Sequence, residues 1–323
     1  MVLSEIIDQI QQAIKMPLSY FDNPGKRIYW LYLLSSLGLA YYVWVKKKRP
    51  SSFFSYIFNK KVWTSPSAFV DYSFVFFNSL IKIFLIGPYL ILGYTMAYYV
   101  DDFATAYFGM VNINVNKSVT LILYTLALTI ANDFASFIVH YAMHKWTWLW
   151  EFHKIHHSAT SLNPITQYRL HPIELIINNA KSIFIFGLIT GIFDFISDHQ
   201  IQKIYFLGAS VFSFLFLFWG ANLRHSHVKL KYFSFLERIF ISPVQHQIHH
   251  SDNPKHYDKN MGAKLAIWDY LFGTLVTSKG IKHLSFGLND KENIEYHTFW
   301  QNLYMPFKNI GNKIKSFLFD HKS

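Results

Sequence analysis

The chain has 323 residues, 30 Lys and Arg against 19 Asp and Glu for a net charge of +11, 52% hydrophobic and only 15% charged residues, and no cysteine. Soluble domains run near ~25% charged, so this composition disfavours a disordered tail, a disulfide scaffold and an ordinary soluble enzyme. The missing thiol removes haem-thiolate, Cys-ligated iron–sulfur and Cys-nucleophile chemistry, while 16 histidines stand in surplus.

Hydrophobic runs come first in chain order. The run 28–45 is uncharged, long enough to span a bilayer, and stopped by Lys46-Lys47-Lys48-Arg49, a stop-transfer pattern. The mostly polar 1–27 before it and the lack of a small-residue cleavage site argue against a signal peptide. The run 69–100 is apolar apart from Asp71 and Lys82, with Gly87-Pro88 near its middle, and predicts one long kinked span or a re-entrant hairpin. A third run, 119–142, carries a single charge at Asp133; 175–193, with Lys181, and 204–223 make a fourth and fifth, joined by the polar stretch 194–203. The pattern predicts an all-α polytopic membrane protein of four to five spans with a cytosolic helical cap. The last stretch, 289–323, is polar and amphipathic, suited to lie along a surface or to hang as a solvated tail.

Cationic residues between the runs predict the orientation. Segment 46–61 holds six, 140–174 three and everything after Asn222 fourteen, whereas 1–27 holds three and the loops 101–117 and 194–203 one each. Because Lys and Arg collect on the cytoplasmic side, 46–61, 140–174 and 222–323 are expected in the cytosol with the N-terminus outside. The positive charge then reads as a cytoplasmic rim, and no nucleic-acid motif accompanies it.

Histidine spacing carries the chemistry. His140-Tyr-Ala-Met-His144 puts two imidazoles four residues apart on one helical face at the end of the third run. His153-Lys-Ile-His156-His157 follows, and the same spacing returns as His246-Gln-Ile-His249-His250. Two crossings separate the second cluster from the third, so all three are expected at one mouth. Eight neutral imidazoles exceed the four ligands of a structural zinc and the two of a haem, which suggests two metal ions. Imidazole suits iron, zinc, copper and nickel alike, and the absence of His-Glu-x-x-His weakens a zinc-protease reading.

The order His-x-x-x-His, His-x-x-His-His and a distant His-x-x-His-His resembles the fatty acid hydroxylase/sterol desaturase superfamily of membrane di-iron enzymes. The flanks agree: Trp150-Glu-Phe-His-Lys-Ile-His-His-Ser158, Arg169-Leu-His-Pro-Ile-Glu174, Ser242-Pro-Val-Gln-His-Gln-Ile-His-His-Ser251, Asp258-Lys-Asn-Met-Gly262 and Ile267-Trp-Asp-Tyr-Leu-Phe-Gly-Thr274. The resemblance covers about 130–277. It implies a centre of two iron ions that uses dioxygen to insert oxygen into, or remove hydrogen from, a lipid C–H bond. His140, His144, His153, His156, His157, His246, His249 and His250 would be ligands, with His171, His225 and His227 as candidates for more, His225 ahead of His227. The chain departs from many relatives in having Gly220-Ala221-Asn222 and then Arg224-His225-Ser-His227. Asp133, His171 and Asn222 are the residues expected to serve the catalytic pocket. Asp133 lies seven residues before His140, two turns or about 10 Å deeper on the same face, where it would orient a ligand from a neighbouring helix or make an interhelical hydrogen bond. Glu151, Glu174, Asp258 and Asp269 are the other acidic candidates for orienting ligand rings, and Trp146, Trp148 and Trp150 are expected to anchor the interface.

On this reading 1–118 is an N-terminal membrane region, 119–280 the catalytic domain and 281–323 a polar tail. With no cysteine and no Gly-rich dinucleotide fingerprint, electrons are expected from an external b-type cytochrome, ferredoxin or reductase. The partner set is completed by a lipid in the bilayer, without nucleic acid, at a bacterial inner membrane or the endoplasmic reticulum. Acyl or alkyl hydroxylation is the leading expectation; sterol desaturation or methyl oxidation and ether-lipid oxidation are alternatives. From other classes, a b-type haem electron carrier and a metal transporter stay open.

Overall fold

The computed structural model describes residues 3–49, 51–111, 116–197, 205–206 and 209–320. Apart from a two-residue antiparallel ladder, Tyr205–Phe206 with Ala209–Ser210, the described residues form an all-α fold. Helix α1, Leu3–Ser19, turns Leu3, Ile7, Ile10, Ile14 and Leu18 outward along one face and packs against α5, Pro66–Ile81. Between them lie α2, Trp30–Lys46, and the short α3, Phe53–Ile57, and α4, Lys60–Trp63, whose N-termini are capped by Ser52 and Asn59. Helix α5 starts at Ser65, whose hydroxyl accepts from the Ala68 N–H, with Pro66 in the first turn where its missing N–H costs nothing.

Helix α5 continues through a π-helical turn, Lys82–Ile86, and a 3₁₀ turn, Gly87–Tyr89, into α6, Leu92–Phe108. Pro88 cannot donate into the ladder, so the break falls where the sequence predicts it. Helix α7, Lys117–Lys145, runs 29 residues from an Asn116 cap, turns at Trp146, and gives way to α8, Thr147–His157. Helix α9, Pro172–Ile196, begins at His171. There follow α10, Val211–Phe218; α11, Pro243–His249; α12, Ile267–Leu271; α13, Asp290–Glu295; and α14, Phe299–Asp320.

Three helical stretches are long and apolar enough to cross a membrane: Pro66–Phe108, Lys117–Lys145 and Pro172–Ile196. They keep large apolar side chains outward, among them Tyr94, Phe103, Ile122, Ile130 and Phe184, as lipid-facing helices do. Side-chain pairs fix their directions. Tyr124 meets Thr190 through their hydroxyls at 2.8 Å, and Lys181 Nζ donates to Asn132 Oδ1 and Ser136 Oγ at 3.1 and 2.7 Å, so α7 and α9 are antiparallel. Along α6, Tyr94 packs on Phe186 and Phe108 on Phe195, so α6 runs parallel to α9. Lys82 stands beside Tyr168, just before α9, so the 82–108 stretch passes α9 in one direction as a kinked helix and does not double back.

The first and last of the expected spans are not among these three stretches. Helix α2 has 17 residues; the Arg27 carbonyl before it accepts from Asn222 Nδ2 at 2.7 Å, while Ala40 and Val43 pack with Leu223 and Val228. One face packs on α10 and that segment, while Leu34, Leu37, Tyr41 and Tyr42 on the rest of the helix are exposed. In the last run, 204–223, the helix covers only Val211–Phe218 before Gly220 enters the left-handed region at φ +88°; residues 198–204 and 207–208 lie outside the described residues. The C-terminal segment is docked: Tyr296 and Met305 share a core with Val70, Phe74 and Ile155, and Lys313 pairs with Glu151 at 2.6 Å.

Close approach of α6 and α9 depends on Gly93, Gly187 and Gly191. A Cβ at Gly187 would lie 2.7 Å from Met96 Cβ and 2.9 Å from the Gly93 carbonyl, the small-residue packing that brings membrane helices together. Gly187→Leu is therefore expected to cost about 1–3 kcal/mol by overpacking, read as a lowered thermal midpoint in detergent micelles; an unchanged midpoint would contradict the α6–α9 contact.

Candidate metal centre

Nine histidines converge at one end of the antiparallel α7–α9 pair. The first group is His140 and His144 from the last turns of α7, His153 and His157 from α8, and His249 from α11; the second is His156 from α8, His225 after the 3₁₀ turn Ala221–Arg224, and His246 and His250 from α11. Within each group one ring nitrogen of every residue lies within 4.8 Å of the others. Local structure explains the convergence. Residues four apart on a helix share a face, so α7 presents His140 and His144 together. On α8 the alternation of 153 and 157 against 156 splits one box between the two groups. Helix α11 is held at its start by a reciprocal capping box, Ser242 with Gln245, whose Ser242 hydroxyl also donates to buried Glu237 at 2.8 Å.

The outer nitrogens of five rings face acceptors, whereas Nδ1 of His246 and of His250 is buried without one. His140 Nδ1 donates to the Met261 carbonyl at 2.7 Å, His249 Nδ1 to the Lys259 carbonyl at 2.8 Å, His153 Nδ1 to Glu174 Oε1 at 3.0 Å and His156 Nδ1 to the Arg169 carbonyl at 3.3 Å. His144 Nδ1 faces Asp258 Oδ1 at 3.3 Å. Each of these bonds puts the ring proton on Nδ1 and turns the Nε2 lone pair inward. One short segment, 258–261, thus orients His144, His249 and His140. That segment is itself held: Asp258 and Asn260 have positive φ, and the Asp269 carboxylate accepts from the Met261 and Gly262 N–H groups at 2.8 Å each. Gly262 has no room for a side chain, since a Cβ would meet Asp269 Oδ2 at 2.8 Å.

Inward, the arrangement lacks donors. His144 Nε2, His157 Nε2 and His249 Nε2 are buried without a partner. His140 Nε2 and His153 Nε2 lie 3.0 Å apart, and the Nε2 atoms of His225, His246 and His250 lie 3.1–3.2 Å from one another. Two imidazole nitrogens each about 2.1 Å from one ion stand about 3.0 Å apart at a right angle and about 3.4 Å apart at the tetrahedral angle, so this spacing fits two shared cations. Burial pushes His153 and His156 down to about 3 and holds His157, His225, His246, His249 and His250 well below their usual range. All seven are neutral near pH 7, the form that binds a metal.

Four expected residues stand elsewhere. His227 is apart from both groups: its Nε2 donates to the Tyr56 carbonyl at 2.6 Å and its ring packs edge-on to Tyr56, because the bend over 225–227 breaks the alternation that would put it on the side of His225. His171 caps α9, its Nδ1 accepting from the Ile173 N–H at 3.2 Å and its Nε2 donating to the Leu303 carbonyl at 3.2 Å. Asn222 holds the Arg27 carbonyl. Asp133 Oδ2 accepts from the Leu265 N–H and Trp268 Nε1 at 3.1 and 3.0 Å, so it ties α7 to 265–268 and touches no histidine. Glu151 serves Lys154, Lys313 and Asn309. Trp146 and Trp148 are exposed, whereas Trp150 covers His144 and His157 at 5.1 and 5.4 Å. The carbonyls of Lys259, Met261 and Arg169 escaped sequence reasoning because any residue type supplies them.

An all-α membrane protein with a nine-histidine dinuclear-type pocket at its helix ends is the class this fold and site define. Residues 125–274, the histidine-bearing part of the chain, match the fatty acid hydroxylase family model. The chain is 28% identical over 204 residues to an alkylglycerol monooxygenase of Caenorhabditis elegans, covering 58% of this chain and 37% of that protein. It is 30% identical over 193 residues to the ornithine lipid hydroxylase OlsE of Rhizobium tropici, covering 58% and 51%, and 27% identical over 179 residues to human alkylglycerol monooxygenase, covering 52% and 36%. The chain therefore spans about half or less of the length of these relatives. No solved structure matches it.

Acid should unmake the pocket. The folded-state values near 3 of His153 and His156 lie below the usual 6.5, so the unfolded chain takes up protons first as pH falls. Their contribution is complete above about 6.5 and lost toward about 3. The thermal midpoint of the purified protein is expected to fall across that window; a flat profile would contradict the buried neutral imidazoles.

Proposed function

We propose that the chain is a dioxygen-dependent di-iron monooxygenase that hydroxylates a membrane lipid on an acyl or alkyl chain. The observation that carries this reading is the convergence of nine inward Nε2 atoms, in two groups, at the end of membrane-length helices. His140, His144, His153, His157 and His249 would hold one iron, and His156, His225, His246 and His250 the other. The pair of irons, once bound, supplies the reduction of dioxygen and the oxidation of a C–H bond. The relatives carry the names alkylglycerol monooxygenase and ornithine lipid hydroxylase, which favours hydroxylation of a glycerol- or amino-acid-headed lipid over sterol desaturation.

The chain's own residues have three tasks in this reading. Glu174, Asp258 and the Met261, Lys259 and Arg169 carbonyls keep the ring proton of His153, His144, His140, His249 and His156 on Nδ1 and their lone pairs aimed inward. Trp150 and the packed α8, α11 and α14 keep bulk water from the site. The membrane-length helices let a lipid chain approach laterally from the bilayer. Electrons would arrive from a separate redox protein, because the chain contains no cysteine to carry them. Segments 46–61 and 222–323, rich in Lys and Arg, support a cytoplasmic histidine end by the positive-inside rule. The unit that works is 119–280, completed by the docked α14.

The haem-carrier and metal-transport readings are disfavoured by the same geometry. Haem takes two axial ligands, not nine neighbouring imidazoles, and a transport path needs ligands spread along the spans rather than gathered at one end.

Purified protein is expected to carry two irons per chain without a haem Soret band. His156→Ala and His249→Ala should each lose iron and lipid hydroxylation together, and Glu174→Gln should weaken iron binding by about 10–100-fold. Lipids from cells with and without the gene should differ by one oxygen in mass. Full iron occupancy and activity in both alanine variants would refute the ligand assignment.

A further inference from the structure

The inner faces of both histidine groups open into a single cavity of about 400 Å³. Four cations share its wall with apolar and uncharged polar residues: Lys26 and Arg27 from the loop before α2, Lys82 from the π-helical turn and Arg224 from the 3₁₀ turn. Lys82 continues the inward face of α5 that carries buried Asn78 and Ser79, its N–H still bonded to the Asn78 carbonyl. Asn222 fastens the Arg27 carbonyl at 2.7 Å, so the loop is fixed to the element that carries His225.

These cations are short of counter-charge. Among the described residues, none of Lys26, Arg27, Lys82 and Arg224 makes an ion pair. Glu174 is the one carboxylate on the wall, and its Oε1 is taken by His153. Lys82 Nζ donates to the Tyr20 hydroxyl at 2.9 Å and lies 5.7 Å from the Tyr168 ring, while Lys26 Nζ lies 5.1 Å from the Tyr20 ring. Aromatic faces soften the charge without cancelling it. Arg224 is committed to the Ile241 carbonyl at 2.8 Å and to the Ala263 carbonyl. Desolvation lowers the pKa of Arg27, and that of Lys26 is lowered by burial with Lys82 adding repulsion. Gathering like charges beside a buried polar cavity is costly unless an anion completes it.

We propose that this cavity seats an anionic group, a phosphate or carboxylate, at the polar end of the lipid that the chain oxidises, with Lys26, Arg27 and Lys82 as its recognition residues. The inference rests on the lipid-oxidation reading above and deepens it, since the same cavity is walled by His140, His153, His156, His225 and His246. A charged headgroup is thereby held next to the proposed irons. An uncharged lipid of equal chain length leaves the three cations uncompensated.

Full-length, iron-loaded protein in detergent micelles, kept anaerobic and without reductant so that nothing turns over, is titrated with 1-alkylglycerol 3-phosphate and with the uncharged 1-alkylglycerol of the same chain. The phosphate lipid is expected to bind at least about tenfold more tightly, the scale of one charge-assisted hydrogen bond. Arg27→Gln and Lys82→Met should each erase most of that preference while iron content stays at the wild-type level. Displacement of the phosphate lipid by inorganic phosphate would assign the seat to any small phosphate; failure to displace it, with the preference intact, would assign it to the headgroup together with its chain. Equal affinity for the two lipids in the wild type, or a preference that survives both substitutions, overturns the proposal. Iron content and hydroxylation measured on the same preparation separate the two readings: if they are normal while the lipids bind equally, only the anion seat falls.

Discussion

Nine neutral imidazoles buried with their lone pairs facing one another are the constraint on which the rest of the structure depends. A buried ring nitrogen without a partner costs about 1–3 kcal/mol, and each histidine has two. The fold meets the outer demand of five rings with carbonyls and carboxylates drawn from distant segments: Met261 and Lys259 from the loop before α12, Arg169 from the turn before α9, Glu174 from α9 itself and Asp258 beside them. The inner demand is left for cations. Much that looks incidental then has a reason, including the positive φ of Asp258 and Asn260 and the Asp269 carboxylate gripping two backbone N–H groups.

The membrane helices set where that pocket sits. Helices α7 and α9 run antiparallel, so the end of one and the start of the other bring His140, His144 and Glu174 together. Polar residues within these helices pair with one another, as Lys181 does with Asn132 and Ser136, which keeps them from the lipid at modest cost. Above the helix ends, α8, α11 and α14 close the pocket, with Glu151 linking α8 to Lys313 and Asn309 of α14.

The histidine boxes were legible because their geometry is local: spacing of three and four on a helix fixes which rings share a face. So were the break at Gly87-Pro88 and two of the membrane-length helices, Lys117–Lys145 and Pro172–Ile196. For helix α2, hydropathy does not separate the face that packs on α10 from the apolar face left exposed; only the packing does. The sequence reading ranks His225 ahead of His227, and an irregular turn aims them at different partners. The tail 289–323 reads as polar, but its buried Tyr296, Asn302 and Met305 are found only by docking it on α5 and α8.

By itself the sequence determined a membrane-type helical chain, eight of the histidines now seen converging and the family they resemble, since composition, helical period and motif spacing are properties of neighbouring residues. Tertiary structure alone decided the ninth histidine, the split of the boxes into groups of five and four, the acceptors that set the tautomer of five rings and the gathering of Lys26, Arg27, Lys82 and Arg224 around one cavity. These joinings bring together residues from separate segments, His140 and Met261 being 121 positions apart, through backbone carbonyls and loop geometry that residue identity does not encode.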